Sequence, residues 1–184
     1  MENKIEQLKS LIQLLQSGYY VGRQTQKNER LAFLLIFVAI TKRSIPQVVI
    51  IRRDQFLVGR YDCIFRGFFP RNKRVYRIHL PMSFLGYLDD YCFRYRVPSN
   101  GCLFSMNPEY VGNRVRELVK LQRWDISIGD IQKAIPYAYN SEEYKAIAYE
   151  LLNMLWAIPC SEQYICTTAV QICSSIQEFE RRYL

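Results

Sequence analysis

Ten consecutive apolar residues, LAFLLIFVAI at positions 31–40, set the first constraint on the fold. A bilayer span takes about eighteen or more apolar residues, so the run is too short to be one. A helix that is apolar all round must be enclosed by protein. The run therefore predicts a nearly all-buried helix over residues 30–40. The chain can supply the cover: 184 residues at 49% apolar content suit a single domain with a real core. No repeat, low-complexity tract or long linker divides it.

The flanking periodicities define the other elements. Ile5, Leu8, Leu11, Ile12 and Leu15 form the one-sided stripe of an amphipathic helix, which SGYYVGRQTQKN breaks. Ser44-Ile45-Pro46 starts a third helix, because proline fits a first turn, and this helix is expected to reach about Arg53. Residues 55–58, 63–68 and 75–79 are short, β-prone and separated by Gly59-Arg60 and PRNKR, the pattern of a small antiparallel meander. Pro81 ends the last strand, and residues 82–95 read as a helix. After the VPSNG loop and the apolar CLFS, Pro108 opens a helix with Val111, Val115, Leu118, Val119 and Gln122 on one side. A weak helical segment follows near 126–137, then a strong one at 141–157 begun by Ser141 and two acids. A last helix is expected from 160 to 182, striped by Ile165, Ile172, Ile176, Phe179 and Tyr183. The class is α+β, mainly helical, with a small three-stranded antiparallel sheet.

Several function classes drop out. Cysteines stand at 63, 92, 102, 160, 166 and 173 without a C-x-x-C pair, and His79 is the single histidine, so no metal site is expected. The same scarcity argues against Cys-His, Ser-His-Asp and HExxH chemistry. No glycine-rich phosphate loop is present, and no cofactor is expected. Reduced cysteines in apolar segments and the polar start MENKIEQLKS, unlike a signal peptide, point to a cytoplasmic protein without a membrane span. Charge is the positive signal. Residues 1–123 hold 21 basic against 9 acidic side chains, and residues 124–184 hold 4 against 8. Residues 42–77 alone carry ten basic and two acidic residues. Such a concentrated surplus attracts polyanions; its alternative role is a solvated surface.

The order of elements brings in a family. An apolar helix, the arginine turn AITKRSIP, a helix closed by Asp54, a three-strand sheet with a basic turn, and then helices resemble the catalytic domain of tyrosine recombinases, the phage-integrase family. Arg43 takes the place of that family's first catalytic arginine, and Asp54 that of its aspartate; Pro46 replaces the usual glutamate. PRNKRVYRIHLP matches the basic turn and strand, with Arg71 or Lys73 at the turn. GCLFS matches the segment before the DNA-facing helix. The later boxes depart from the pattern. In SIGDIQKA, Gly129 falls at the family's histidine and Gln132 at its second arginine. In NMLWAIP, Trp156 or Ala157 falls at the later histidine, and Tyr164 is the nearest candidate nucleophile. The resemblance covers nearly the whole chain as one integrase-like catalytic domain, 1–184, without the N-terminal core-binding domain.

The resemblance implies double-stranded DNA as partner and a chemistry that is mostly lost. A phenol attacks a phosphodiester slowly unless cations stabilise the pentacoordinate phosphate and an acid protonates the leaving oxygen. Such groups act as a unit, so losing several removes most of the rate. The expected function is a non-catalytic DNA-binding protein, a transcriptional regulator or accessory factor of a mobile element. The alternatives are an active strand-transfer enzyme using Tyr164, and a protein-interaction module with a basic face. Candidate DNA contacts are Arg43, Arg52, Arg53, Arg71, Lys73, Arg74, Arg114, Arg116, Lys120 and Arg123. Arg43 could instead bond the carbonyls ending the preceding helix. Of Arg52 and Arg53, one is expected to face solvent or DNA and the other to pair with Asp54 or Asp62. Arg116, Lys120 and Arg123 are expected on one helix face. Arg94 and Arg96 alternate with aromatics that stack on bases or, more simply, pack at a helix end. The C-terminal helix is expected to mediate a homodimer or a protein partner, or to pack within the chain.

Overall fold

The computed structural model describes residues 2–21, 24–26, 28–68 and 74–156. The apolar run is the axis of the fold. Helix α2 (Glu29–Thr41) is buried at every position from Leu31 to Thr41. Asn28 caps its start, the side-chain oxygen accepting the Leu31 N–H at 3.0 Å. Helix α1 (Glu2–Ser17) buries its predicted stripe, Leu8, Leu11, Ile12 and Leu15, against α2. Between them SGYYVGRQTQKN contains a small antiparallel hairpin, β1 (Tyr19–Val21) and β2 (Gln24–Gln26), which the glycines and polar residues had marked only as a break.

The third helix is much shorter than its apolar pattern suggests. Helix α3 (Ile45–Val48) has Pro46 in its first turn, and Gln47 Oε1 accepts the Ser44 N–H at 3.2 Å. It does not reach Arg53, because residues 51–53 leave the helical path to pair with residues 101–103. The Ile51 carbonyl accepts from Leu103 N at 2.9 Å, and Arg53 N donates to the Gly101 carbonyl at 3.0 Å. Ile51, Leu103 and Phe104 are all buried as a result. Apolar spacing over so few residues cannot separate a helix from an extended, doubly buried strip.

A 3₁₀ turn (Arg53–Gln55) leads into the sheet, β3 (Phe56–Val58), β4 (Asp62–Phe68) and β5 (Val75–Pro81), antiparallel in the order β3-β4-β5. Alternation along the strands buries Cys63, Phe65, Ile78 and Leu80 and turns Arg66, Phe68, Val75 and Arg77 outward. Helix α4 (Ser83–Arg94) packs on β5 and on α7 (Glu142–Trp156), while α5 (Pro108–Leu121) packs on α3 and α6 (Ile128–Gln132) on α2. Phe33 is the hub of the core. Its ring meets Tyr91, Phe104, Phe37 and Tyr87 edge-on at 4.8, 4.9, 5.1 and 5.3 Å between centroids.

The α+β architecture with its three-stranded antiparallel sheet is as expected. Two details of α5 differ: it ends at Leu121, and Gln122 is its exposed C-cap, not part of the apolar side. Among the described residues no helix is long and apolar enough to cross a membrane. The expected C-terminal helix, Tyr164, Arg71 and Lys73 lie outside the described residues.

Candidate nucleic-acid interface

Arg43 follows Lys42, which closes α2 in the left-handed conformation at φ 53°. The carbonyls ending α2 are answered by other side chains. The Tyr144 hydroxyl donates to the Ile40 carbonyl at 2.7 Å, the Tyr139 hydroxyl to Thr41 at 2.6 Å, and Gln132 Nε2 to Lys42 at 3.0 Å. Lys42 Nζ returns a hydrogen bond to the Tyr137 carbonyl. The end of α2 is thus tied to α7, to α6 and to the segment after it, and these side chains take the helix-capping role open to Arg43.

Arg43 itself is half-buried. Its guanidinium lies 5.0 Å from the centroid of the Tyr76 ring and hydrogen-bonds to Tyr76. Burial pushes the Tyr76 phenol up, and the bond from Arg43 pulls part of that back. Tyr76 stacks on Tyr139 at 5.5 Å and 10°. The Tyr139 phenol, pushed up to about 12 by burial, remains a protonated donor at neutral pH. Gly67, directly across from Tyr76 in the sheet, makes this arrangement possible: a Cβ there would come within 2.0 Å of the tyrosine ring. Gly67→Ala is therefore expected to push Tyr76 off Arg43 and cost about 1–2 kcal/mol, as overpacked sites do. A urea-unfolding comparison with the parent chain measures it.

The other candidates divide by whether an acid already holds them. Arg52 is paired with Asp54, and Arg53 NH2 reaches Asp89 Oδ1 at 2.8 Å. Arg52 makes the pairing with Asp54 expected of one of the two, but Arg53 is paired as well, not left facing solvent or DNA. Asp89 is the partner, close in space through α4 but distant in sequence. Arg114 NH1 pairs with Glu117 at 2.7 Å, while Arg116 NH1 bonds the neutral Asn113 side chain at 2.9 Å. Lys120 is exposed on α5, but Arg123 stands past the end of that helix at φ 55°, so it does not continue the Arg116–Lys120 face. Arg116 and Lys120 rim a groove with Val115, Val119 and Ile128, closed on its far side by Gly129 of α6. Helix α6 therefore carries Gly129 toward the basic side of α5 and Gln132 toward the end of α2. Arg94 is bound to Glu29 and to Asp90; of the aromatics beside it, Tyr95 packs against the core as expected, but Phe93 is exposed. Arg74 is exposed immediately before β5.

Residues that the sequence did not single out make up the rest of the site. Arg66 on β4 and Arg77 on β5 lie directly opposite each other and are both exposed. Next to them on the outer face, Phe68 pairs with Val75, 52% and 45% exposed. Period-two alternation in DCIFRGF and VYRIHLP signals that both arginines face outward, but their juxtaposition depends on the register in which β4 and β5 pair. Further along the same face, His79 Nδ1 is paired with Asp62. Asn140 supplies the missing neighbour of β5: its Oδ1 accepts from His79 N at 2.9 Å and its Nδ2 donates to the Arg77 carbonyl at 3.0 Å. Among the described residues no group of histidine, cysteine and acidic side chains could hold a metal ion.

The family models, the curated proteins and the solved structures compared with the chain include no match to it.

Proposed function

We propose that this protein binds double-stranded DNA through phosphate contacts, without strand transfer, as a regulator or accessory factor of a mobile element. The observation that carries the reading is Gln132. At the position where the resemblance to tyrosine recombinases implies an arginine, its neutral amide bonds the Lys42 carbonyl, one residue before Arg43. In support of this reading, Gln132 brings a neutral amide, not a guanidinium, to the backbone next to Arg43. With Gly129 at the position where the resemblance implies a histidine and Arg43 engaged by Tyr76, little among the described residues is placed to stabilise a pentacoordinate phosphate or to protonate a leaving oxygen. Phosphate binding needs only exposed cations, and Arg66, Arg74, Arg77, Arg116 and Lys120 provide them. A homodimer or a protein partner is part of the same proposal, since a single domain of this size has a small footprint on a duplex.

Anisotropy of a fluorescein-labelled duplex, titrated across salt, tests it. With about four phosphate contacts, affinity should fall by roughly 100-fold between 50 and 200 mM salt. Absence of salt-dependent binding would sink the proposal. A covalent adduct on a nicked duplex, abolished by Tyr164→Phe, would replace it with the strand-transfer reading.

A further inference from the structure

Arg66 and Arg77 are two like charges placed face to face on the outer side of the sheet. Their pairing is of the tighter kind. Gln55 Nε2 donates to the Arg66 carbonyl at 3.0 Å from the β3 side, so the backbone groups of Arg66 point away from β5. Residues facing each other in this way form a non-hydrogen-bonded pair, in which side chains approach most closely. Like charges directly opposite across a sheet destabilise it. Among the described residues no acid forms an ion pair with either arginine: the nearby Asp54 is held by Arg52, and Asp62 by His79.

We infer that the Arg66–Arg77 pair is the point at which the sheet grips a phosphate of duplex DNA, an inference that rests on the DNA-binding reading above. An anion between the two guanidinium groups turns their repulsion into two charge-assisted contacts, each able to form the two-pronged fork that suits phosphate. The neighbours fit a polymer better than a small ligand. Arg66 forms one wall of a shallow recess shared with Ile50, Arg52, Asp54, Gln55 and Phe68, open to solvent, in which the one carboxylate is already held by Arg52. Small molecules favour enclosed clefts, whereas an open face suits a backbone that passes across it. The exposed Phe68–Val75 pair, two positions along the strands on the same face, gives the adjoining sugar an apolar surface. Arg74, immediately before Val75 in the chain, is also exposed. On this assignment the sheet face, and not Arg43, makes the strongest phosphate contact, because Arg43 is half-buried against Tyr76.

The pair makes opposite demands on folding and binding, which gives the test. Duplex binding by anisotropy and thermal unfolding are measured for the full chain and for Arg66→Ala, Arg77→Ala and Arg77→Glu. Each alanine variant should bind about five- to tenfold more weakly, with a salt slope shallower by about one, and should melt at a higher temperature than the parent. Arg77→Glu, which places opposite charges across the strands, should melt highest and lose binding. If the parent binds the duplex and these variants match it in affinity and slope, the inference falls while the DNA reading stands. If the parent shows no salt-dependent duplex binding, the DNA reading falls first. A lower melting temperature in the alanine variants would assign the pair to the fold and overturn the inference. Preference of the parent for single strands, or for phosphatidylserine vesicles, would also overturn the duplex assignment.

Discussion

Replacing Glu29 by alanine should lower the unfolding free energy by about 2–3 kcal/mol, the scale of losing charge-assisted hydrogen bonds where one partner, Arg94, is partly exposed. The Glu29 carboxylate, at the first position of α2, is 11% exposed and accepts from four donors. These are both terminal nitrogens of Arg94 and the hydroxyls of Tyr87 and Tyr95, each hydroxyl at 3.0 Å. Truncation would leave all of them without their acceptor. Asp90 still holds Arg94 Nε at 2.7 Å, which favours the lower end of the range. The loss would be a large part of the roughly 5–15 kcal/mol that stabilises an ordinary domain. It should appear as an earlier midpoint in urea with an unchanged slope.

The same carboxylate gives the effect a pH signature. Burial pushes the Glu29 carboxyl up, but Arg94 and the two tyrosine hydroxyls outweigh it and hold it below its usual 4.5. A group depressed on folding contributes stability that is fully present above its unfolded value and is lost as pH falls through the folded one. The parent should therefore lose stability on acidification below about 4.5, and the gap between parent and Glu29→Gln should narrow there. A gap that stays constant from neutral to acid pH would assign the role of Glu29 to packing alone. None of this was legible in the sequence. Glu29 reads as an ordinary acid near a helix start, and its partners lie 58 to 66 residues away.

Local chemistry and period carried the rest of the sequence reading a fair distance. The central apolar helix, the α1 stripe and the three strands are all properties of short windows, and all are present. Failures came where long-range pairing overrides local pattern, as at residues 51–53, where the extended strip replaces a helix. The site shows the same division. A basic surplus can be counted from composition, but which cations are neutralised cannot. Asp89 takes Arg53, Glu117 takes Arg114, and the two arginines with no acid opposite, Arg66 and Arg77, were passed over.

Asn140 joins fold and site, and its replacement by alanine should cost about 3 kcal/mol. Strand β5 has β4 on one side only, so its other edge must find partners or water. The Asn140 amide satisfies that edge as a neighbouring strand would, accepting from His79 N and donating to the Arg77 carbonyl. Two hydrogen bonds at about 1 kcal/mol each give roughly 2 kcal/mol. The remainder comes from the backbone: Asn140 sits at φ 65°, which asparagine tolerates and alanine does not, at a penalty of about 1 kcal/mol. Asn140→Gly separates the two contributions, because glycine loses both bonds but adopts the left-handed conformation freely. It should recover about 1 kcal/mol relative to alanine. Equal losses in the two variants would remove the backbone contribution from the account. Because the amide holds the carbonyl of Arg77, a strand edge loosened in either variant should also weaken duplex binding under conditions where the chain remains folded. Full duplex affinity in Asn140→Gly would mean that Arg77 keeps its place opposite Arg66 through β4 alone.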